Sequence, residues 1–263
     1  MNAPDRKSEG RGVKSIELGA RLLVALVEEE APMMLRDLAQ VAGFAPAQAH
    51  AYLVSYRKIG LVEQDAATGQ YHIGRFALDI GIASMRSTDP MRLASEASAD
   101  LSKRTGLHVA LVVWGSFGPT VVQVTESGSQ INMSTRPGTV YSLTGTASGR
   151  IFAAHLPDET VKAAIERERR EKAGSGRVGR HRFMSRKETE QIREAGFSTI
   201  EDAPVPGISA YSAPVFDHAG HLVLAITIIG QAHYLEARAA TEFVPALRAA
   251  AKGISGNLGY SPV

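Results

Sequence analysis

The chain has 263 residues, of which 44% are hydrophobic and 21% charged, so it is a globular protein of about two domains and not a fibrous or wholly disordered chain. It has no cysteine, which excludes disulfides and thiolate chemistry, and no apolar run of membrane-spanning length, so we expect no membrane partner. The formal net charge of +2 means that any binding of nucleic acid must come from local clusters of basic residues.

The first 12 residues are polar and charged and have no hydrophobic period, which predicts a flexible basic arm over residues 1–12. They also lack the apolar stretch of a secretory signal, so we expect a cytoplasmic protein.

Three helices are predicted next. The first begins at Ser15, interpreted as its N-cap, and its apolar residues recur at helical spacing as far as the glutamates at 28–30. A second helix from residue 35 ends at Gly43, a residue type that favours helix C-termini. The third covers 46–60 and opens with a proline, which is preferred at the first helical position.

A short hairpin with a glycine near its tip is predicted over 61–73. Helix, helix, tight turn, helix and hairpin in this order are typical of a winged helix-turn-helix domain, which we place at 13–75. A linker helix is predicted over 76–90.

The remaining residues, 91–263, alternate between strands and helices, which predicts an α+β domain with a mostly antiparallel sheet flanked by helices. The predicted strands are 109–113, 120–124, 130–134, 209–216 and 222–229. The predicted helices are 93–106, 147–156, 159–172, 188–195 and 235–258.

No motif in the chain predicts an enzyme, a cofactor or a metal. The glycine-rich segment 174–179 matches a dinucleotide fingerprint but lacks the preceding strand that such a site needs. His218 and His221 have a metal-ligand spacing without a third ligand. Segment 145–149 has Ala147 where a serine hydrolase has its nucleophile.

The same segment is a candidate anion site. Thr144 or Thr146 caps an apolar helix there, which leaves the backbone N–H groups of 146–148 unpaired and accessible to a carboxylate. An ordinary capped helix packed on a sheet is the alternative interpretation.

The third helix is the candidate DNA-reading element. It would place Ala47, Gln48 and His50 in the major groove, where glutamine pairs with adenine and histidine contacts guanine or phosphate. Because residues 1–75 carry equal numbers of basic and acidic side chains, we expect two or more such domains to act together. The candidate phosphate contacts and wing contacts are Lys14, Ser15, Arg36, Arg57, Lys58, Thr68 and Gln70.

Over nearly its whole length the chain resembles the IclR family of bacterial transcriptional regulators. The second helix reads as the family's Leu-x-x-Leu-Ala motif at 35–44, and the segment from His50 to Gly74 is similar to its recognition helix and wing. Segments 136–150, 192–197 and 213–230 resemble its effector-domain signatures.

The resemblance implies a GAF-like effector domain over 91–263, double-stranded operator DNA as partner, and a homodimer or homotetramer. It also implies a small organic acid as effector. The positions that correspond to the family's effector pocket are Met133, Thr146, Ala147, Ser148, Ala210, Thr227 and Ile229.

Two departures from the family pattern change the expectations. Ala51 stands where the recognition helix usually has arginine, which shifts DNA affinity toward the arm and the wing. Ile200 and Ile229 replace an acidic and a polar position, so we expect an aromatic carboxylate instead of a two- or three-carbon acid. The alternatives are a helix-turn-helix module that binds protein and a small-molecule enzyme that uses the C-terminal pocket.

Overall fold

A computed structural model of the protein describes residues 12–29, 31–128, 135–173, 184–202 and 204–262. The chain divides into two compact units, residues 1–88 and 89–263. None of the described helices is long and apolar enough to cross a membrane.

The first unit is a winged helix-turn-helix domain, as predicted, with one helix after the wing. Its described elements are α1 Lys14–Glu28, α2 Leu35–Ala42, α3 Pro46–Lys58, β1 Val62–Gln64, β2 Tyr71–Ile73 and α4 Arg75–Ser87. The predicted N-cap was wrong, because α1 begins at Lys14, its cap is Val13, and no side chain caps it; Ser15 lies inside the first turn.

Tight packing of the three helices fixes this unit. Leu22, Leu38 and Leu53 are fully buried at their meeting point. Gly43 ends α2 in the left-handed region, with φ 71°, which permits the sharp turn into α3. A Cβ at Gly19 would collide with the Tyr56 hydroxyl and the Tyr52 ring, so this glycine leaves room for two side chains of α3 to lie directly against α1.

The second unit is an α+β domain around a five-stranded sheet in the order β4-β3-β7-β6-β5, in which every neighbouring pair is antiparallel. Its strands are β3 His108–Gly115, β4 Gly118–Thr125, β5 Ser198–Ile200, β6 Ile208–Phe216 and β7 Leu222–Gln231. Its helices are α5 Pro90–Thr105, α6 Ala147–His155, α7 Asp158–Ala173, α8 Arg186–Ala195, α9 Ala232–Arg238 and α10 Val244–Asn257.

Helices cover both faces of this sheet, and the predicted fold class is confirmed. One face packs against α5, α9 and α10. The other packs against α6, α7 and α8. Two details differ from the prediction: β5 was missed, and the closing helix contains a π-helical segment at Ala239–Phe243. The candidate strand 130–134 lies outside the described residues.

Candidate functional site

The exposed face of α3 carries the predicted base-reading residues. Ala49 and Leu53 turn into the core, which leaves Ala47, Gln48 and His50 exposed near the start of the helix. This is the second helix of the helix-turn-helix, and its first turns are where such domains present side chains to base edges. The arrangement therefore suits direct readout by Gln48 and His50.

A hydrogen-bonded relay joins the end of α3 to the wing. The Arg57 Nη1 donates to Gln64 Oε1 at 2.8 Å, and Gln64 Nε2 donates to the Gly69 carbonyl at 2.9 Å. Arg57 is thus held toward the hairpin, while Lys58 is exposed beside it. Sequence reasoning missed Gln64, because its role depends on the spatial approach of two elements and not on a local motif.

The wing tip is organised by Asp65. Its Oδ1 accepts from the Thr68 N–H at 2.7 Å, the Thr68 hydroxyl at 3.0 Å and the Ala67 N–H at 2.8 Å. The pKa of Asp65 is lowered chiefly by the Thr68 backbone hydrogen bond. The Thr68 Oγ1 also accepts from the Gln70 N–H at 3.3 Å, so the predicted contact residue Thr68 shapes the turn with the same hydroxyl.

The other predicted phosphate contacts lie at helix starts. Lys14 and Ser15 are the first residues of α1, Arg36 is the second residue of α2, and all three are exposed. The arm residues up to Arg11 lie outside the described residues.

Both α1 and α4 expose large apolar side chains. On α1 these are Ile16, Val24 and Val27, with 68%, 50% and 62% of their surface exposed. Their spacing places them along one side of the helix, away from the core residues. No residue of α4 is buried, and its Phe76, Leu78, Ile80 and Met85 are exposed within the first unit.

In the second unit the structure brings most of the predicted pocket residues together beneath the start of α6. Thr227 Oγ1 lies 2.8 Å from Ser148 Oγ and 2.8 Å from Ser212 Oγ. All three residues are buried, so these hydroxyls satisfy one another away from water. Ser212 was missed by sequence reasoning, although it stands two residues from Ala210 on the same strand and therefore on the same face.

On the sheet face that packs against α6, the strand register forms one row of polar side chains and one row of apolar side chains. Ser198, Ser212 and Thr227 are partners across β5, β6 and β7. The neighbouring row consists of Ile200, Ala210 and Ile229. The two isoleucines that depart from the family pattern thus stand on either side of Ala210, next to the hydroxyls. Met133 lies outside the described residues.

The start of α6 is capped and enclosed. Thr146, not Thr144, is the cap: its Oγ1 accepts from the Gly149 N–H at 3.0 Å and donates to the Ser142 carbonyl at 2.8 Å. Ala147 and Ser148 are only 1% exposed, so the predicted accessibility of these N–H groups is corrected to an enclosed position. A Cβ at Gly149 would collide with backbone carbonyls of the preceding loop, which explains how closely that loop covers the helix.

The remaining motifs carry no assembled site in the described part of the chain. His218 and His221 lie at the exposed β6–β7 turn, where Asp217 Oδ1 accepts from the His221 N–H at 2.9 Å. No group of three metal-ligating side chains is found there or elsewhere among the described residues. The glycine-rich segment 174–179 lies outside them.

Comparison with known proteins covers both units. Residues 15–66 match the IclR helix-turn-helix domain, and residues 82–256 match the bacterial transcriptional regulator IclR C-terminal domain. The glycerol operon regulatory protein of Streptomyces coelicolor is 28% identical over 95% of this chain and 98% of its own length. The transcriptional repressor IclR of Escherichia coli is 22% identical over 92% and 89%. The crystal structure of Pseudomonas aeruginosa HmgR is similar with a TM-score of 0.84 and 33% identity, over 95% of this chain and 100% of that chain.

Proposed function

The chain belongs to the IclR family of bacterial transcriptional regulators, and from this premise we propose that it is a cytoplasmic homo-oligomer that controls catabolic genes in response to a small aromatic carboxylate. Members of the family regulate transcription, so the chain is a DNA-binding regulator and not an enzyme. The observation that carries the effector proposal is the pair of rows beneath α6, one of hydroxyls and one of apolar side chains.

The effector class follows from these rows. A carboxylate needs hydrogen-bond donors, and the buried Ser148, Ser212 and Thr227 hydroxyls would supply them by exchanging bonds to one another for bonds to the ligand. The row of Ile200, Ala210 and Ile229 offers no donor and favours an apolar body. An aromatic acid matches both rows, whereas glyoxylate or pyruvate would leave the isoleucines without a partner.

Operator binding is proposed to rest on α3 and the wing together. Gln48 and His50 would read base edges, while Arg57, Lys58, Arg36 and Lys14 contact phosphates. Ala51 supplies no polar contact, so a single domain would bind weakly. Two recognition helices on a pseudo-palindromic site would compensate.

The exposed apolar face of α1 and α4 is the proposed contact between subunits. Side chains such as Ile16 and Val27 expose more than half of their surface within the unit, and burial of such a stripe against a second copy would stabilise a dimer. The effector would act by binding two arrangements of the assembly with unequal affinity.

Fluorescence anisotropy with the chain's own upstream intergenic DNA tests the proposal. Binding should be specific relative to a random duplex, should weaken steeply with salt, and should change when benzoate-like acids are added. Glyoxylate and pyruvate are the matched controls. Specific binding that responds better to the two- and three-carbon acids would refute the effector class alone. Equal binding of the random duplex, or a salt-insensitive complex, would refute operator recognition.

A further inference from the structure

A groove of about 670 Å³ lies at the edge of the effector domain's sheet, between α8 and α10. It exists because β5 pairs with β6 only as far as Ser212, so that β6 from Pro214 to Phe216 is paired with β7 on one side and has no described strand on the other. At this edge α8 approaches from one face of the sheet and α10 from the other. The volume falls within the range of roughly 300–1,000 Å³ that is typical of small-molecule sites.

The apolar wall of the groove is aromatic and fixed in position. The rings of Phe216 and Tyr260 have centroids 5.0 Å apart, and the ring centroid of His155 lies 5.1 Å from that of Phe216 in an edge-on arrangement. Ser255 holds both aromatic residues, because its Oγ accepts from the Phe216 N–H at 3.0 Å and its carbonyl accepts from the Tyr260 N–H at 2.9 Å. Ser255 is itself buried.

The polar wall is positive. Arg248 and Lys252 lie one turn apart on α10, and Arg193 faces them from α8, where its Nε donates to the Ala154 carbonyl at 2.6 Å. Among the described residues none of these three cations forms an ion pair. Glu194 is the one carboxylate in the described lining, so the groove carries an excess of positive charge.

A β-strand from another protein does not suit this edge. Pro214 has no N–H to donate, and the N–H of Phe216 is already bonded to Ser255. A flat anionic molecule suits it better, because a ring can contact the aromatic wall while an acid group meets the cations.

We propose that this groove is a second ligand site, which binds a small aromatic carboxylate between Tyr260 and the cations Arg248 and Lys252. The ring contacts Phe216 and Tyr260, and the carboxylate accepts from the two α10 side chains. A ligand there joins α8 to α10 and gives the effector domain an input separate from the site beneath α6. The proposal does not depend on which ligand the α6 site takes.

The test uses the full-length protein with a reporter beside the groove. Because the chain has no cysteine, Gly253→Cys can be labelled at a single position with an environment-sensitive fluorophore; Gly253 is exposed on α10, does not line the groove, and has open space around it. Titration with 1-naphthoate should change the fluorescence saturably, and the neutral analogue 1-naphthalenemethanol should bind at least about tenfold more weakly.

Variants locate the response. R248Q/K252Q should weaken 1-naphthoate binding by about tenfold or more, and Ala249→Glu, which places a carboxylate in the lining, should do the same. K103Q/K187Q removes two exposed cations outside the groove and should leave the affinity unchanged. The proposal is overturned if the reporter does not respond, if the alcohol binds as tightly as the acid, or if R248Q/K252Q binds like the parent. It is also overturned if sedimentation shows that the groove variants change self-association, because a second copy would then occupy the groove.

Discussion

Ser148 on α6 and Thr227 on β7 are 79 residues apart in the sequence, yet their side-chain oxygens lie 2.8 Å apart in the buried interior of the effector domain. Ser212 contacts the same Thr227 hydroxyl at 2.8 Å, so Thr227 is the central member of a three-hydroxyl chain. Its removal should therefore affect both stability and effector binding.

Thr227→Val keeps the shape of the side chain but removes its hydroxyl. The Ser148 and Ser212 hydroxyls then lose a buried partner, and we expect a loss of about 1–3 kcal/mol in the free energy of unfolding and weaker binding of benzoate-like acids. Urea denaturation and isothermal titration measure the two effects. Thr241→Val, at an exposed position, is the control. Unchanged stability in T227V would contradict the hydrogen-bonded chain.

Gly19→Ala tests the contact between α1 and α3. A methyl group there would meet Tyr56 and Tyr52, so the N-terminal unit should lose about 1–3 kcal/mol of stability. Gly81→Ala on α4 has nothing within 4 Å and should instead stabilise by about 0.5–1 kcal/mol. Thermal unfolding followed by circular dichroism compares the two variants. A change in stability of the same sign in both would refute the close contact between Gly19 and the two tyrosines.

Gln64→Leu breaks the relay between α3 and the wing without disturbing the core. Because Arg57 and Gly69 both lose their partner, we expect operator affinity to fall by about threefold to tenfold while helix content stays the same. Anisotropy with operator DNA gives the affinity. Glu63→Gln, one residue away on the same strand, leaves the relay intact and serves as the control. Wild-type affinity in Q64L would show that the relay does not position the wing.

Acid should destabilise the effector domain through His155. Burial, and then the charge of Arg193, lowers the pKa of His155 from 6.5 to about 4. The unfolded state therefore binds the proton more tightly, so the stability present above pH 6.5 is lost as the pH falls toward 4, by about 3 kcal/mol in all.

Urea denaturation between pH 7 and pH 4 measures how the free energy of unfolding changes with pH. His155→Leu should reduce this pH dependence, whereas His218→Gln, at the exposed turn, should retain it. Parallel pH profiles for the parent and H155L would assign the acid sensitivity to other groups.

Val27→Asp tests the proposed subunit contact. A carboxylate on the exposed apolar face of α1 would be unfavourable in an interface, so sedimentation should show a smaller assembly and operator binding should weaken. Val205→Asp changes an equally exposed valine of the second unit and should leave the assembly intact. An unchanged sedimentation coefficient in V27D would place the contact elsewhere.

The sequence by itself determined the winged helix-turn-helix and the antiparallel α+β domain, because both depend on local signals. Gly43 and Pro46 mark the tight turn between α2 and α3, and apolar residues at helical or alternating spacing mark the long elements. The resemblance to a known family, not the spacing, pointed to Ser148 and Thr227 as pocket positions.

Only the tertiary structure decided which residues far apart in the sequence come into contact. Ser212 joins Thr227, and Ile200 joins Ala210 and Ile229, only through the pairing of β5, β6 and β7. β5 has three residues, too few to show a period. The enclosure of α6 and the Arg57–Gln64 relay likewise arise from elements that pack together after they form, and sequence spacing carries no information about such approaches.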